Sequence, residues 1–344
     1  MPFRRQTDRH GLNRMTVTLR AALHCRGREG ADPSFESLAM SYLFPLFAIL
    51  FWAGNVIVSK LAASAISPTA ITFYRLLLAI FLMGLFTARP AWRNRRVILR
   101  HWPKLALYGA LSSAVFQALS YRAAETTTAT NMAILTALIP LLSMLLSVVI
   151  LRDPLTLGMA AGGALSFLGL LYLVGQGDML SVFQHGVHVG DGLMLLAALS
   201  YALYGVLLRH WKVPVPAWQS TFVQSIFALI YMFPLYLRVP AAQAALDANT
   251  VPLILYAGIF SSVLLSYLWI EGVQRLGPNR CSIFINLLPL FTALAAFVML
   301  REHLHRHHLL GGAVTLAGVL LAQTVQRPLF GAGRARAAAD LAKT

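Results

Sequence analysis

Ten runs of mostly apolar residues, each long enough to cross the hydrocarbon core of a bilayer, divide this chain from residue 41 onward. They lie at roughly 41–59, 69–87, 104–121, 127–150, 157–175, 191–209, 218–237, 252–270, 280–300 and 308–325. A crossing needs about 20 such residues at a rise of ~1.5 Å each. In lipid no water satisfies the backbone, so a run of this kind becomes a helix. Strands of a membrane barrel would alternate with period two, and these runs do not. Composition closes off the soluble alternatives, since 58% of the 344 residues are hydrophobic and 12% charged, against about 25% charged in a soluble domain. Too few polar groups remain to cover a soluble surface, which excludes a soluble enzyme, a disordered chain and a disulfide scaffold. The expected fold is all-α and integral to the membrane, with ten transmembrane helices.

The breaks between runs carry Pro, Gly or charge: Ser67-Pro68, Arg89-Pro90, Asp153-Pro154, Gly175 to Gly177, Pro214 and Pro216, Pro240, Gly277-Pro278 and Arg301-Glu302. Pro lacks a backbone donor and Gly ends helices easily. With ten spans both tails share a side. That side holds 22 Lys and Arg and the other holds 5, with Arg75 inside a span. Basic residues stay in the cytoplasm, so both termini are expected there. The net charge of +16 is explained by this bias and does not point to nucleic acid. Cys25 and Cys281 are expected to be free thiols. Residues 1–40 read as a basic cytoplasmic tail without a targeting core, and residues 326–344 as a second tail. An equal alternative is that translation begins at Met40.

Sliding the chain by 149 residues gives a register that persists without gaps. Leu151-Arg152-Asp153 meets Leu300-Arg301-Glu302, and Pro140 meets Pro289. Gly162, Gly163 and Gly169 meet Gly311, Gly312 and Gly318. Gly109, Ser112 and Ser113 meet Gly258, Ser261 and Ser262, and Lys60 meets Arg209. Two repeats follow, 41–175 and 190–325, of five spans each. Five is odd, so the second copy enters the membrane from the opposite side. Inverted repeats place a pseudo-two-fold axis in the membrane plane, an architecture that lets one site face either side in turn.

The same residues carry a family resemblance. Trp52-Ala53-Gly54-Asn55, Phe73-Tyr74-Arg75, Leu138-Ile139-Pro140 with Leu151-Arg152-Asp153, and Leu287-Leu288-Pro289 with Leu300-Arg301-Glu302-His303-Leu304 and Gly311-Gly312 resemble the EamA-type transporters of the drug/metabolite transporter superfamily. The resemblance covers about 41–325. It implies a central cavity between repeats and movement of small metabolites across a bacterial inner membrane. It does not specify the substrate. Asp153-Pro154 departs from the family pattern of Glu and a non-proline residue.

Arg75 is the one deeply placed charge, six residues into the second run, or about 9 Å along a helix at ~1.5 Å per residue. It either faces a cavity and grips a substrate carboxylate or snorkels to headgroups. Its repeat mate, Gln224, is uncharged. Asn55, Gln117, Tyr121, Asn131, Tyr204, Tyr267, Trp269 and Asn286 complete the candidate substrate-binding set, because a polar group inside a span faces protein or water; the competing role is interhelical bonding. Glu271 is a partner for Arg275 one turn on, with a proton site as the alternative. His303, His305, His307 and His308 lack the acid or Cys company of a metal site, and neither metal nor cofactor is expected. Gly158 and Gly162 form a close-packing pair, with a homodimer seam as the other use.

These features suggest a small-solute exporter, facilitated or exchanging, with amino acids the best substrate guess. Proton-coupled efflux is the nearest alternative. An integral-membrane lipid-modifying enzyme is the rival class, but no cluster of His, Asp, Glu or Cys marks a reaction centre.

Overall fold

In a computed structural model of the chain, residues 35–179 and 188–329 are described. These residues divide into two units between Leu43 and Phe44. The described part of the first is the start of one helix, and all packing below is within the second. Cys25 and the expected tails lie largely outside the described residues.

Among the described residues the chain is helical, with no strand beyond an isolated bridge between Thr156 and Pro328. The helices are α1 (Phe35–Ala62), α2 (Pro68–Arg93), α3 (102–123), α4 (Ala129–Ile150), α5 (Leu157–Val174), α6 (Val189–Trp211), α7 (Ala217–Tyr236), α8 (Thr250–Leu276), α9 (278–299) and α10 (Arg306–Thr324). A short helix, Arg95–Arg100, joins α2 to α3. Helix α1 begins five residues before the end of the expected tail.

Seven helices, α1, α2, α4, α5, α6, α8 and α9, are long and apolar enough to cross a membrane. The other three expected spans, 104–121, 218–237 and 308–325, fall on α3, α7 and α10. Those helices are too polar for the same test. Helix α3 carries Ser112, Ser113, Gln117 and Ser120; α7 carries Gln219, Ser220, Gln224 and Ser225; α10 carries His307, His308 and Gln323. Among the described residues all ten expected spans fall on helices, and seven of these are long and apolar enough to cross a membrane.

Sequence chemistry sets the helix ends. Pro68 opens α2 at its first turn, where its missing N–H costs nothing. The Thr128 and Thr156 hydroxyls cap α4 and α5 by accepting the N–H of Asn131 at 3.1 Å and Met159 at 3.2 Å. Helices α4 and α9 end alike. Arg152 and Arg301 both adopt a left-handed backbone, φ 58° and 53°. The Asp153 N–H reaches Ser147 O at 3.3 Å, as the Glu302 N–H reaches Ala296 O at 3.2 Å. All four residues are matched by the 149-residue register.

The closest helix pair is α5 with α10, and it runs antiparallel: Gly162 lies against Gly318, Ser166 against Thr315 and Gly169 against Gly311. The Ser166 hydroxyl donates to Thr315 O at 2.9 Å, across a separation of 149 residues. Repeat mates therefore touch, and the contact of Gly162 with Gly318 maps onto that of Gly311 with Gly169. A local two-fold axis perpendicular to both helices produces this pattern. The Gly158 and Gly162 face is occupied by α10. Elsewhere Val56, Ile57, Phe116, Leu135 and Leu138 pack with Met194, Ala197 and Ala198, uniting α1, α3, α4 and α6.

Candidate functional site

Helix α2 buries Arg75, leaving the residue 2% exposed. Its Nη1 donates to Gln117 Oε1 at 2.7 Å, Tyr121 Oη at 3.1 Å and Asn55 Oδ1 at 3.4 Å. Nη2 donates to Ser261 Oγ at 3.1 Å and Ser262 Oγ at 2.9 Å, and Nε donates to Ser262 Oγ at 3.1 Å. The guanidinium thus ties α1 and α3 of the first half to α8 of the second. Every one of these acceptors is neutral. Hydrogen bonds solvate the cation in part, but among the described residues no carboxylate pairs with it. The three ion pairs among the described residues, Arg122–Glu125, Arg209–Asp153 and Arg275–Glu271, lie elsewhere. A buried cation held only by neutral partners marks Arg75 as a candidate functional residue.

Two local features shape this cluster. Gly54 precedes Asn55, and a Cβ there would run into the Tyr256 hydroxyl, so glycine leaves the space in which the Tyr256 side chain of α8 lies against α1 beside the site. Helices α3 and α8 widen to π-helix at 110–115 and 256–264, matched stretches that carry Ser112 and Ser113 in one half and Ser261 and Ser262 in the other. Such widening breaks the regular helix ladder where side chains must be aimed inward. The halves mirror each other around it: Ser112 donates to Gln224 Oε1 at 3.5 Å, where its mate Ser261 accepts from Arg75. Gln224 also donates to Ser220 Oγ at 2.7 Å.

Of the residues singled out by sequence, Asn55, Arg75, Gln117 and Tyr121 come together. Gln224 occupies the mirror position. Tyr204 stacks edge-on with Tyr108, centroids 5.6 Å apart. Trp269 packs beside Ile49, Ala53 and Ala133. Asn286 donates to Gln323 Oε1 at 3.3 Å while its own Oδ1 is buried without a partner. Tyr267 is exposed and tilts against Trp218. Glu271 pairs with Arg275 at 3.1 Å. The His305, His307 and His308 rings pack together, and His308 Nδ1 accepts the His305 N–H at 3.2 Å.

Asn131 belongs to a different cluster, at the end of the bundle that carries Lys60. There Lys60 Nζ donates to Thr127 O at 2.6 Å and Ala124 O at 2.9 Å. Asp191, 1% exposed, accepts from the Thr127 hydroxyl and from Asn131 Nδ2 at 3.2 Å. Glu302 reaches across from the second half to the first turn of α4, accepting Ala129 N–H at 2.9 Å and the Thr130 hydroxyl at 3.2 Å. The mates of Lys60 and Glu302 behave otherwise: Arg209 and Asp153 pair with each other at 2.7 Å on the surface. Sequence reasoning missed Ser261, Ser262, Thr127 and the burial of Asp191. The serines were signalled by the register that matches them to Ser112 and Ser113.

The EamA-like transporter family matches this chain twice, over residues 39–175 and 188–324. The chain belongs to that family. It is 30% identical to an uncharacterized transporter of Archaeoglobus fulgidus over 83% of this chain and 98% of the relative. It is 24% identical to a probable terminal-alkyne amino-acid exporter of Streptantibioticus cattleyicolor, over 80% of this chain and 91% of the relative. A solved crystal structure shares the fold, with a TM-score of 0.55 and 18% identity over 83% of this chain and 96% of the other. An EamA-like protein with seven apolar helices of spanning length is a multi-pass membrane transporter. The tandem match agrees with the two-fold packing of α5 on α10.

Proposed function

We propose that this EamA-like protein exports small metabolites that carry a carboxylate, amino acids foremost, by alternating access around Arg75. The carrying observation is the buried guanidinium whose six hydrogen bonds all end on neutral acceptors. An incoming carboxylate supplies the missing charge and displaces the serine or amide acceptors in exchange for stronger, charge-assisted bonds. One cation suits one carboxylate, whereas a phosphate ester needs several. The exporter name of the Streptantibioticus relative agrees with this substrate class.

In this reading ten helices span the bilayer as two inverted repeats, 41–175 and 190–325, with both tails in the cytoplasm. The polar faces of α3, α7 and α10 turn inward, which explains their low apolarity. The unequal ends support the cycle. The Lys60 end is clamped by Glu302 and Asp191, while at the other end Arg209 and Asp153 stand aside as a surface pair. With the tails in the cytoplasm, the clamped end faces outward. Transport is facilitated or by exchange, down the cytoplasmic metabolite excess.

Proton-coupled efflux has one observation in its favour, the burial of Asp191 among neutral donors. Proteoliposomes with an imposed pH gradient and a panel of amino acids, sugar phosphates and amines test both points. Amino-acid flux without uphill accumulation is expected. Uphill accumulation lost in Asp191→Asn or Glu271→Gln establishes coupling instead, and flux of sugar phosphates with none of amino acids refutes the substrate class.

A further inference from the structure

The exposed side of α2 carries a slanting ladder that nothing in the substrate site uses. Leu77, Phe81, Leu85, Arg89 and Arg93 recur every four residues and are all exposed. Each four-residue step turns about 40° further around a helix of ~3.6 residues per turn, so the row climbs about 24 Å as a slanting stripe across the exposed side of α2. The opposite face, with Ala79, Met83, Thr87 and Ala91, is buried. Three apolar rungs lead to two cationic ones. Where the cationic rungs begin, α2 and the start of α7 leave an open cleft of about 570 Å³, lined by Leu85, Phe86, Arg89 and Arg93 and floored by Asn94 and Gln219. Asn94 Nδ2 donates to Gln219 Oε1 at 2.8 Å, which fixes that floor. Neither arginine takes part in an ion pair among the described residues. No Asp or Glu occurs between Glu36 and Glu125, so the sequence around the cleft offers these cations no acid.

We infer that this cleft is a binding site for an anionic phospholipid. The phosphodiester lies between Arg89 and Arg93, the Asn94 and Gln219 side chains contact the headgroup, and one acyl chain runs down Phe86, Leu85, Phe81 and Leu77. The order of the rungs matches the order of a lipid, with charge at the interface and hydrocarbon below it. A free phosphate would use the arginines and leave the apolar rungs without a role. This inference depends on membrane insertion and not on what the protein transports, and its test reads lipid binding alone.

The test is native mass spectrometry of the full chain in detergent with equimolar phosphatidylglycerol and phosphatidylcholine of identical acyl chains. A basic residue at the membrane surface contributes roughly a fivefold preference for anionic lipid. Arg89→Gln with Arg93→Gln is therefore expected to cut the phosphatidylglycerol preference by about 30-fold. Arg89→Lys with Arg93→Lys retains it, and so does Arg95→Gln with Arg96→Gln, which removes two nearby charges outside the cleft. Equal loss in the 89/93 and 95/96 glutamine variants would reduce the effect to general positive charge and overturn the site. So would equal binding of both lipids by the unaltered protein, or displacement of the lipid by millimolar inorganic phosphate.

Discussion

Gly162 and Gly163 are neighbours on α5, yet adding one methyl group to each should change stability in opposite directions. A Cβ on Gly162 would lie 2.4 Å from Gly318 O, 2.7 Å from Ala322 N and 3.0 Å from Ala322 Cβ. Two of those three atoms are backbone, which cannot rotate away, so Gly162→Ala must push α5 from α10. Overpacking of this kind costs roughly 1–3 kcal/mol, and here it breaks the Ser166–Thr315 bond as well. A Cβ on Gly163 meets only Leu141 Cδ1, at 3.9 Å, an ordinary contact. Gly163→Ala therefore keeps the packing and gains the helix preference of alanine, about 0.5–1 kcal/mol. Gly162→Ala gains the same preference, so the two variants should differ by the overpacking cost, about 1–3 kcal/mol, in reversible unfolding from mixed micelles followed by circular dichroism. Equal stability of the two variants would refute the antiparallel glycine seam and the local two-fold axis read from it.

Further outcomes follow from single contacts. Glu302→Gln removes a negative charge from the first turn of α4, worth about 0.3–1 kcal/mol there, and should lower amide exchange protection at Ala129 and Thr130; unchanged protection would mean the clamp is not formed. Arg209→Gln breaks an exposed pair, which is worth about 0–1 kcal/mol, so a stability loss above about 2 kcal/mol would contradict its surface placement. The Thr250 and Asn249 backbone N–H groups, at 2.8 and 2.9 Å, hold the Asp247 carboxylate below its ordinary pKa at the start of α8. A depressed carboxylate contributes stability above its unfolded pKa of about 3.9 and loses it as pH falls through the folded value. Amide protection at Thr250 should therefore begin to decline as pH falls below about 3.9 and be lost only once pH has passed the lower folded value in the unaltered protein. In Asp247→Ala it should be low at every pH, and identical profiles would exclude the cap.

The repeat was legible because its markers are scarce residue types. Proline, paired glycine and an Arg–acid step recur at one offset only if two copies exist, and the matching turns at Arg152 and Arg301 are their physical form. Arg75 was legible because a charge within an apolar run always has a reason. Its partners were less so. Ser261 and Ser262 are small hydroxyls of a kind common in membrane helices, and what aims them inward is π-helical widening that no hydropathy pattern encodes. Tyr267 and Tyr121 look alike in sequence, yet Tyr121 is buried against the guanidinium and Tyr267 is exposed, because rotation of each helix sets the outcome. Asp191 looked like an ordinary acid at a span end. Thr127, sixty-four residues away in the chain, is its hydrogen-bond donor in the folded protein.

The central claim is that Arg75 holds the carboxylate of the transported molecule, and ligand binding to purified protein tests it most directly. The measurement compares the affinity of an amino acid with that of its carboxamide, which keeps size and amine but removes the negative charge, in unaltered protein and in Arg75→Gln. A charge-assisted bond contributes about 1.5–3 kcal/mol, so the unaltered protein should favour the carboxylate by roughly 10- to 150-fold. Arg75→Gln should bind both weakly and without preference while still folding, as shown by a retained helical spectrum. A carboxylate preference that survives intact in Arg75→Gln would contradict the claim.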